Sequence, residues 1–199
     1  MRFELIKIAS LIEEKSRVLD LGCGRGDLLE FLKINKHIEG YGIEKNEQKA
    51  IYCIERGLSV LRGDINEETM DYADKTFDYV ILSETLQQVF NPEYIINEMM
   101  RIGEKGIVSF PCFSHLSIKL QLFFTSKAPV TEELPYEWYN TPNIRVVTLK
   151  DFRIFCAKNK IDILKELAIT PHHQATTGKI IRFLPDWFAK YGIFLLTRQ

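Results

Sequence analysis

The sequence predicts a doubly wound α/β domain on a mostly parallel sheet, and three observations carry that expectation. Short β-rich runs alternate with helical patterns through residue 110, the arrangement that joins parallel strands by helical crossovers. The runs VLDLG, YVILS and GIVSF are almost continuously apolar, as strands covered on both faces are. At 199 residues, 46% apolar and 27% charged, the chain can bury one continuous core without disulfides, so residues 1–199 read as a single domain.

Each element follows in order. MRFELIKIASLIEEKS places Leu5, Ile8, Ala9 and Ile12 on one helical face with acids between them, an amphipathic helix and not a signal peptide. Strands are expected at 17–21, 40–43, 58–61, 77–82 and 106–110, the five being parallel. The intervening helices are 27–35, 46–56 and 92–101, the last capped by Asn91 with Pro92 in its first turn. Gly57 and Gly103 read as helix ends. Residues 112–145 break the alternation with aromatic and proline-bearing sequence too long for a simple connection, and read as a lid or interaction insert. Within it Leu120, Leu122, Phe123 and Phe124 are expected to face the core from a helix. Tyr136, Trp138 and Tyr139, alternate aromatics between prolines, suit a lid or interface better than a regular element. A helix over 148–159 opens on a T-x-x-D box of Thr148 and Asp151, and strands at 161–169 and 191–197 close the chain.

Composition narrows the function. Apolar runs fall far short of the roughly 18 residues of a membrane span, so a cytoplasmic protein is expected. Cys23, Cys53, Cys112 and Cys156 form no CxxC pair and are expected as buried free thiols. His172 and His173 are adjacent, a poor chelate, and no metal is expected. Net charge is −1, yet residues 1–100 carry 12 basic and 19 acidic groups and residues 101–199 carry 14 and 8. No dense Lys/Arg patch with interleaved aromatics appears, which speaks against nucleic acid; an acidic partner or anionic substrate near the second half fits the asymmetry.

The sharpest signal is VLDLGCGRG, a buried strand ending in three alternate glycines that feed a helix. Glycine lets backbone approach a ligand or adopt positive φ, and the helix start offers free N–H groups. Dinucleotide enzymes space their glycines G-x-G-x-x-G; here Gly22, Gly24 and Gly26 are followed by Asp27, which suits a pyrophosphate badly. Asp20, just before the turn, would also repel phosphate but can hold an amino group. Glu44 ends the second strand 18 residues after Gly26, where a carboxylate can accept both ribose hydroxyls. Asp64 can accept an adenine amino proton while Ile65 packs on the ring, and Ser83 completes the row of strand carboxyl ends. An acid at a strand end often only caps a helix, but four such positions in register point to an adenosine-containing cofactor with a zwitterionic end, S-adenosylmethionine.

DLGCGRG, Glu44 and the GDI of residues 63–65 resemble the signature of class I S-adenosylmethionine-dependent methyltransferases. That resemblance implies a seven-stranded sheet whose last strand is antiparallel. It assigns Asp20 and the turn Gly22–Cys23–Gly24–Arg25–Gly26 to the methionine end, Glu44 to the ribose, and Asp64 with Ile65 to adenine. A narrower resemblance covers nearly the whole chain: SETLQQVFNP, KGIVSFPCFSHLSIKLQLFF and PVTEELPYEWYNTPNIR are similar to blocks of the methionine biosynthesis protein MetW family, with departures at Glu84, Cys112, Leu116 and Asn140. It implies a methyltransferase-like protein of methionine synthesis linked to homoserine O-acyltransferase.

Methyl transfer is an in-line displacement driven by alignment and removal of water, and needs a base only for acceptors that must lose a proton. Candidate bases are Glu84, His115 and Tyr139, with Tyr136 and Asn143 nearby in sequence; His115, in a Ser114–His115 turn, reads first as a helix-start residue bonded to backbone and only second as a base. A small-molecule methyltransferase is therefore expected, with a cofactor-sensing accessory of the acyltransferase as the alternative; the glycine spacing disfavours a nicotinamide enzyme.

Overall fold

The computed structural model describes residues 1–172 and 176–198. Its eight strands form one sheet in the order β3-β2-β1-β4-β5-β8-β6-β7. These are β1 (Arg17–Leu21), β2 (Glu39–Glu44), β3 (Ser59–Arg62), β4 (Phe77–Ser83), β5 (Gly103–Pro111), β6 (Asp162–Pro171), β7 (Gly178–Ile180) and β8 (Tyr191–Thr197). The first five pair in parallel, as the apolar runs require, and β8 enters antiparallel between β5 and β6. The sheet has eight strands and not seven because β7, three residues long, pairs antiparallel on the edge of β6.

The helices are α1 (Phe3–Ala9), α2 (Asp27–Lys36), α3 (Glu47–Glu55), α4 (Ile65–Glu68), α5 (Pro92–Ile102), α6 (Leu116–Thr125), α7 (Leu149–Lys158) and α8 (Pro185–Phe188). Side-chain oxygens of Asn46, Asn91 and Thr148 accept the amides of Lys49, Tyr94 and Asp151, so the expected caps of α5 and α7 form. Gly57 takes a left-handed φ of 72°, whereas Gly103 is extended and opens β5.

Strand alternation divides the core. Leu19, Leu21, Val80, Leu82, Val108 and Phe110 point into one cluster with α5 and α7. Val18, Tyr79, Ile81 and Ile107 point into the other, shared with α1 and α2. Because side chains alternate every residue, Asp20, Ser83 and Ser109 fall on the α1/α2 face, at the carboxyl ends of their strands. Glu44 shares the face of Gly42, whose missing Cβ would lie 2.6 Å from Cys23 Sγ and 3.0 Å from Leu29. The parallel register thus brings the strand-end acids to one side of one edge.

All four cysteines are buried and free, as expected, and no group of three or more metal-capable side chains occurs among the described residues. His173 lies outside the described residues. No helix among the described residues is long and apolar enough to cross a membrane.

The insert overturns one expectation. In α6 only Ile118 is buried, while Leu120, Leu122, Phe123 and Phe124 are 45%, 54%, 80% and 75% exposed. The helix lies outside both apolar clusters, so its aliphatic and aromatic side chains have no sheet to cover them. Trp138 and Tyr139 are likewise exposed and meet edge to face at 5.7 Å. Lys119 ties α6 to α8 by lying 3.7 Å from the centre of the Trp187 ring.

Candidate functional site

The turn after β1 is built from positive φ values at Gly22 (78°), Gly24 (60°) and Gly26 (74°), which any other residue adopts only under strain. Two backbone bonds fix it on β2: the Gly22 and Cys23 amides donate to the Ile43 carbonyl at 2.8 and 3.1 Å. A Cβ on Gly22 would strike Thr85 Oγ1 at 2.7 Å, and one on Gly26 would strike Leu58 at 2.5 Å. At Gly24 the same position is open, facing the space above the strand ends.

That space is a cavity of about 450 Å³, within the roughly 300–1,000 Å³ of small-molecule sites. Asp20, Gly22, Cys23, Gly24, Arg25, Glu44, Asp64, Ile65 and Ser83 line it. Of the residues singled out for cofactor contact, Gly26 alone stands one step back, as the left-handed cap of α2.

Glu44 is buried and already engaged: Oε2 accepts the Gly24 amide at 2.8 Å and Oε1 the Asn46 amide at 2.7 Å. This carboxylate braces the glycine turn and has lone pairs left beyond these two bonds. Asp20 differs. It is 3% exposed, its Oδ1 has no hydrogen-bond partner among the described residues, and burial, with the nearby Glu44 charge, pushes its carboxyl up to about 7. A buried acid without a donor is costly, and an ammonium group in the cavity would relieve it. Asp64 caps α4 by accepting the Asn66 amide at 2.9 Å, and a hydrogen bond from Lys45 holds its carboxyl below its ordinary range. Ser83 pairs its hydroxyl with that of Ser109 at 3.0 Å.

The base candidates are placed differently. Glu84 lines the cavity, but in a left-handed conformation (φ 53°) with Oε2 accepting from Arg2 Nη1 at 2.8 Å. His115 is the N-cap of α6: its Nδ1 accepts the Ser117 amide at 3.2 Å, and burial with the Lys190 charge holds its pKa down. Tyr139 is 70% exposed, and neither it nor His115, Tyr136 or Asn143 lines the cavity.

The sequence carries no signal for several of the lining residues, Phe90 and Arg2 among them. Phe90, 81% exposed, stands at the rim, and Arg2 enters from the chain's amino end, ion-paired through Nε to Glu4 at 2.8 Å. The insert reaches this rim as well, for the Ile144 and Arg145 amides donate to the Gln87 carbonyl and Arg145 Nη2 donates to the Phe90 carbonyl at 2.6 Å.

The model of the methionine biosynthesis protein MetW family matches residues 2–196. The chain belongs to the MetW family. A MetW-family relative, the bifunctional methionine biosynthesis protein MetXA/MetW of Rhodopirellula baltica, is 33% identical over 80% of this chain. The chain spans 27% of that relative's length. Among solved structures, an S-adenosylmethionine-dependent methyltransferase of Thermotoga maritima superposes with a TM-score of 0.71 at 18% identity, over 99% of this chain and 90% of its own. Another, from Archaeoglobus fulgidus, gives 0.67 at 16%, over 98% and 91%. At such identities these likenesses show the fold alone: this MetW-family chain has the α/β methyltransferase fold.

Proposed function

We propose that the chain binds S-adenosylmethionine in this cavity and serves methionine biosynthesis as a cofactor-responsive partner of homoserine O-acyltransferase. One observation carries the cofactor: Asp20, Glu44 and Asp64 follow one another along the strand ends around an open glycine turn. Asp20 would take the ammonium group, Glu44 the ribose hydroxyls and Asp64 with Ile65 the adenine edge and face. A diphosphate would instead meet Asp20 and Asp27.

Bound there, the cofactor supplies a sulfonium methyl. What the chain supplies is binding and orientation, because His115, Tyr136, Tyr139 and Asn143 lie off the cavity wall and Glu84, the one base candidate on it, pairs with Arg2 in the ligand-free chain. Sensing needs no base, and this favours the accessory reading over turnover. The joined MetXA/MetW relative supports the choice of partner. The exposed Phe123, Phe124, Trp138 and Tyr139 offer it a surface, since aromatics anchor interfaces. Hydrogen bonds from the Ile144 and Arg145 amides to Gln87, and from Arg145 Nη2 to the Phe90 carbonyl, tie that insert to the cavity rim.

A second reading, a small-molecule methyltransferase acting on acceptors that need no deprotonation, is favoured by the fold shared with S-adenosylmethionine-dependent methyltransferases. Co-purification with homoserine O-acyltransferase, and its activity with and without S-adenosylmethionine, tests the first reading. Association that changes acyltransferase activity is expected; no association and unchanged activity overturn it. Turnover of labelled methyl onto a homoserine derivative would establish the second.

A further inference from the structure

The amino-acid end of the cavity has an acid without a donor and a cation tied to two acids. Asp20, Ser83 and Glu84 bound this end, and Arg2 reaches it from the residue preceding α1. Of the other cations on the wall, Lys45 bonds Asp64 at 2.8 Å, Arg25 lies 5.7 Å from the Tyr52 ring centre, and Lys49 stands in the first turn of α3, after the strand that ends in Glu44. Among the lining cations, Arg2 is the one bonded to Glu84, the residue that follows Ser83 at the end of β4 next to Asp20 on β1.

Its setting is unusual for a surface arginine. Glu4, 3% exposed, holds the guanidinium Nε at 2.8 Å in an ion pair whose Oε1 lacks hydrogen-bond alignment, and Glu84 holds Nη1 at 2.8 Å from a left-handed backbone. Glu4 backs the guanidinium from the protein side and Glu84 meets it from the cavity side. The Arg2 side chain remains 56% exposed, so the outer pair can exchange for a ligand at small cost. A guanidinium fork matches a carboxylate in bidentate geometry.

We propose that Arg2 is the receptor for the ligand's α-carboxylate: the amino-acid end binds with its ammonium on Asp20 and its carboxylate on Arg2, which trades its pair with Glu84 for the ligand. Both charges of a zwitterion are then answered within one corner, and α1, packed on α2 and the sheet, is drawn onto the bound ligand by its own first cation. This deepens the S-adenosylmethionine reading and rests on it.

The test separates the two. Calorimetric titration of the wild-type chain, Arg2→Ala and Arg2→Lys uses S-adenosylhomocysteine, which carries the amino-acid end, and 5′-methylthioadenosine, which lacks it. Arg2→Ala is expected to weaken S-adenosylhomocysteine about tenfold or more and leave methylthioadenosine unchanged, with Arg2→Lys between. Equal weakening of both ligands, or none for S-adenosylhomocysteine, overturns the assignment; equal weakening makes Arg2 a structural clamp. Failure of the wild-type chain to bind either ligand would remove the cofactor reading itself. Unfolding of the ligand-free variants at the wild-type temperature verifies that the comparison concerns binding.

Discussion

The Glu44 carboxylate accepts the Gly24 amide at 2.8 Å, so the end of β2 holds the turn that ends β1. One side chain both shapes the glycine loop and faces the cavity. Replacing Glu44 by Ala should cost about 1.5 to 3 kcal/mol of S-adenosylhomocysteine affinity, the worth of hydrogen bonds to a charged group. Calorimetry checks this, and unchanged affinity would move the ribose contact elsewhere.

Asp20 makes the ligand-free chain pH-dependent. Its carboxyl is raised from an ordinary 3.8 to about 7, first by burial and then by Glu44. Between these values the unfolded chain has lost a proton that the folded chain retains. Stability from this group is therefore full below about pH 4, falls as pH rises to about 7, and is level above, the whole drop being at most about 4 kcal/mol. Asp20→Asn should flatten the profile and raise the melting temperature at pH 8, by about 2 to 4 °C per kcal/mol recovered. Thermal unfolding across pH 4 to 8 checks it.

The ionised form of Asp20 is the one that attracts an ammonium group. Affinity for S-adenosylhomocysteine should consequently rise with pH through about 7 in the wild type and stay flat in Asp20→Asn, read by titration at pH 6 and 8.

Gly26→Ala tests the turn as structure. Its φ of 74° costs an L-residue about 1 to 2 kcal/mol. A Cβ would also press on Leu58 at 2.5 Å and Cys53 Sγ at 3.0 Å, adding about 1 to 3 kcal/mol of overpacking. Chemical denaturation should show a loss in that combined range.

Phe123→Ser with Phe124→Ser should leave stability within about 0.5 kcal/mol, because both rings already face solvent. The pair should weaken association with homoserine O-acyltransferase, measured by co-purification.

The parallel half of the sheet was legible because strands covered on both faces leave continuous apolar runs, and VLDLG, YVILS and GIVSF do. The cavity wall was legible because glycines at alternate positions and acids at strand ends are local signals. What the sequence could not disclose depends on three-dimensional partners. Phe123 and Phe124 look like core residues in any window, since an apolar helix does not say whether its own sheet will cover it. β7 is three residues long and exists only through β6. Arg2 sits some 80 residues from Glu84, and nothing in MRFEL announces that the two meet. His115 carried two readings, and the Ser117 amide on its Nδ1 fits the helix-start one.

The cavity should hold a nucleoside with a zwitterionic end in preference to a diphosphate. Titration of the purified chain with S-adenosylhomocysteine and, separately, with NADH measures that preference directly. Saturable one-to-one binding of S-adenosylhomocysteine with weaker or absent binding of NADH is expected; tighter binding of NADH would show that the cavity is built for a diphosphate instead.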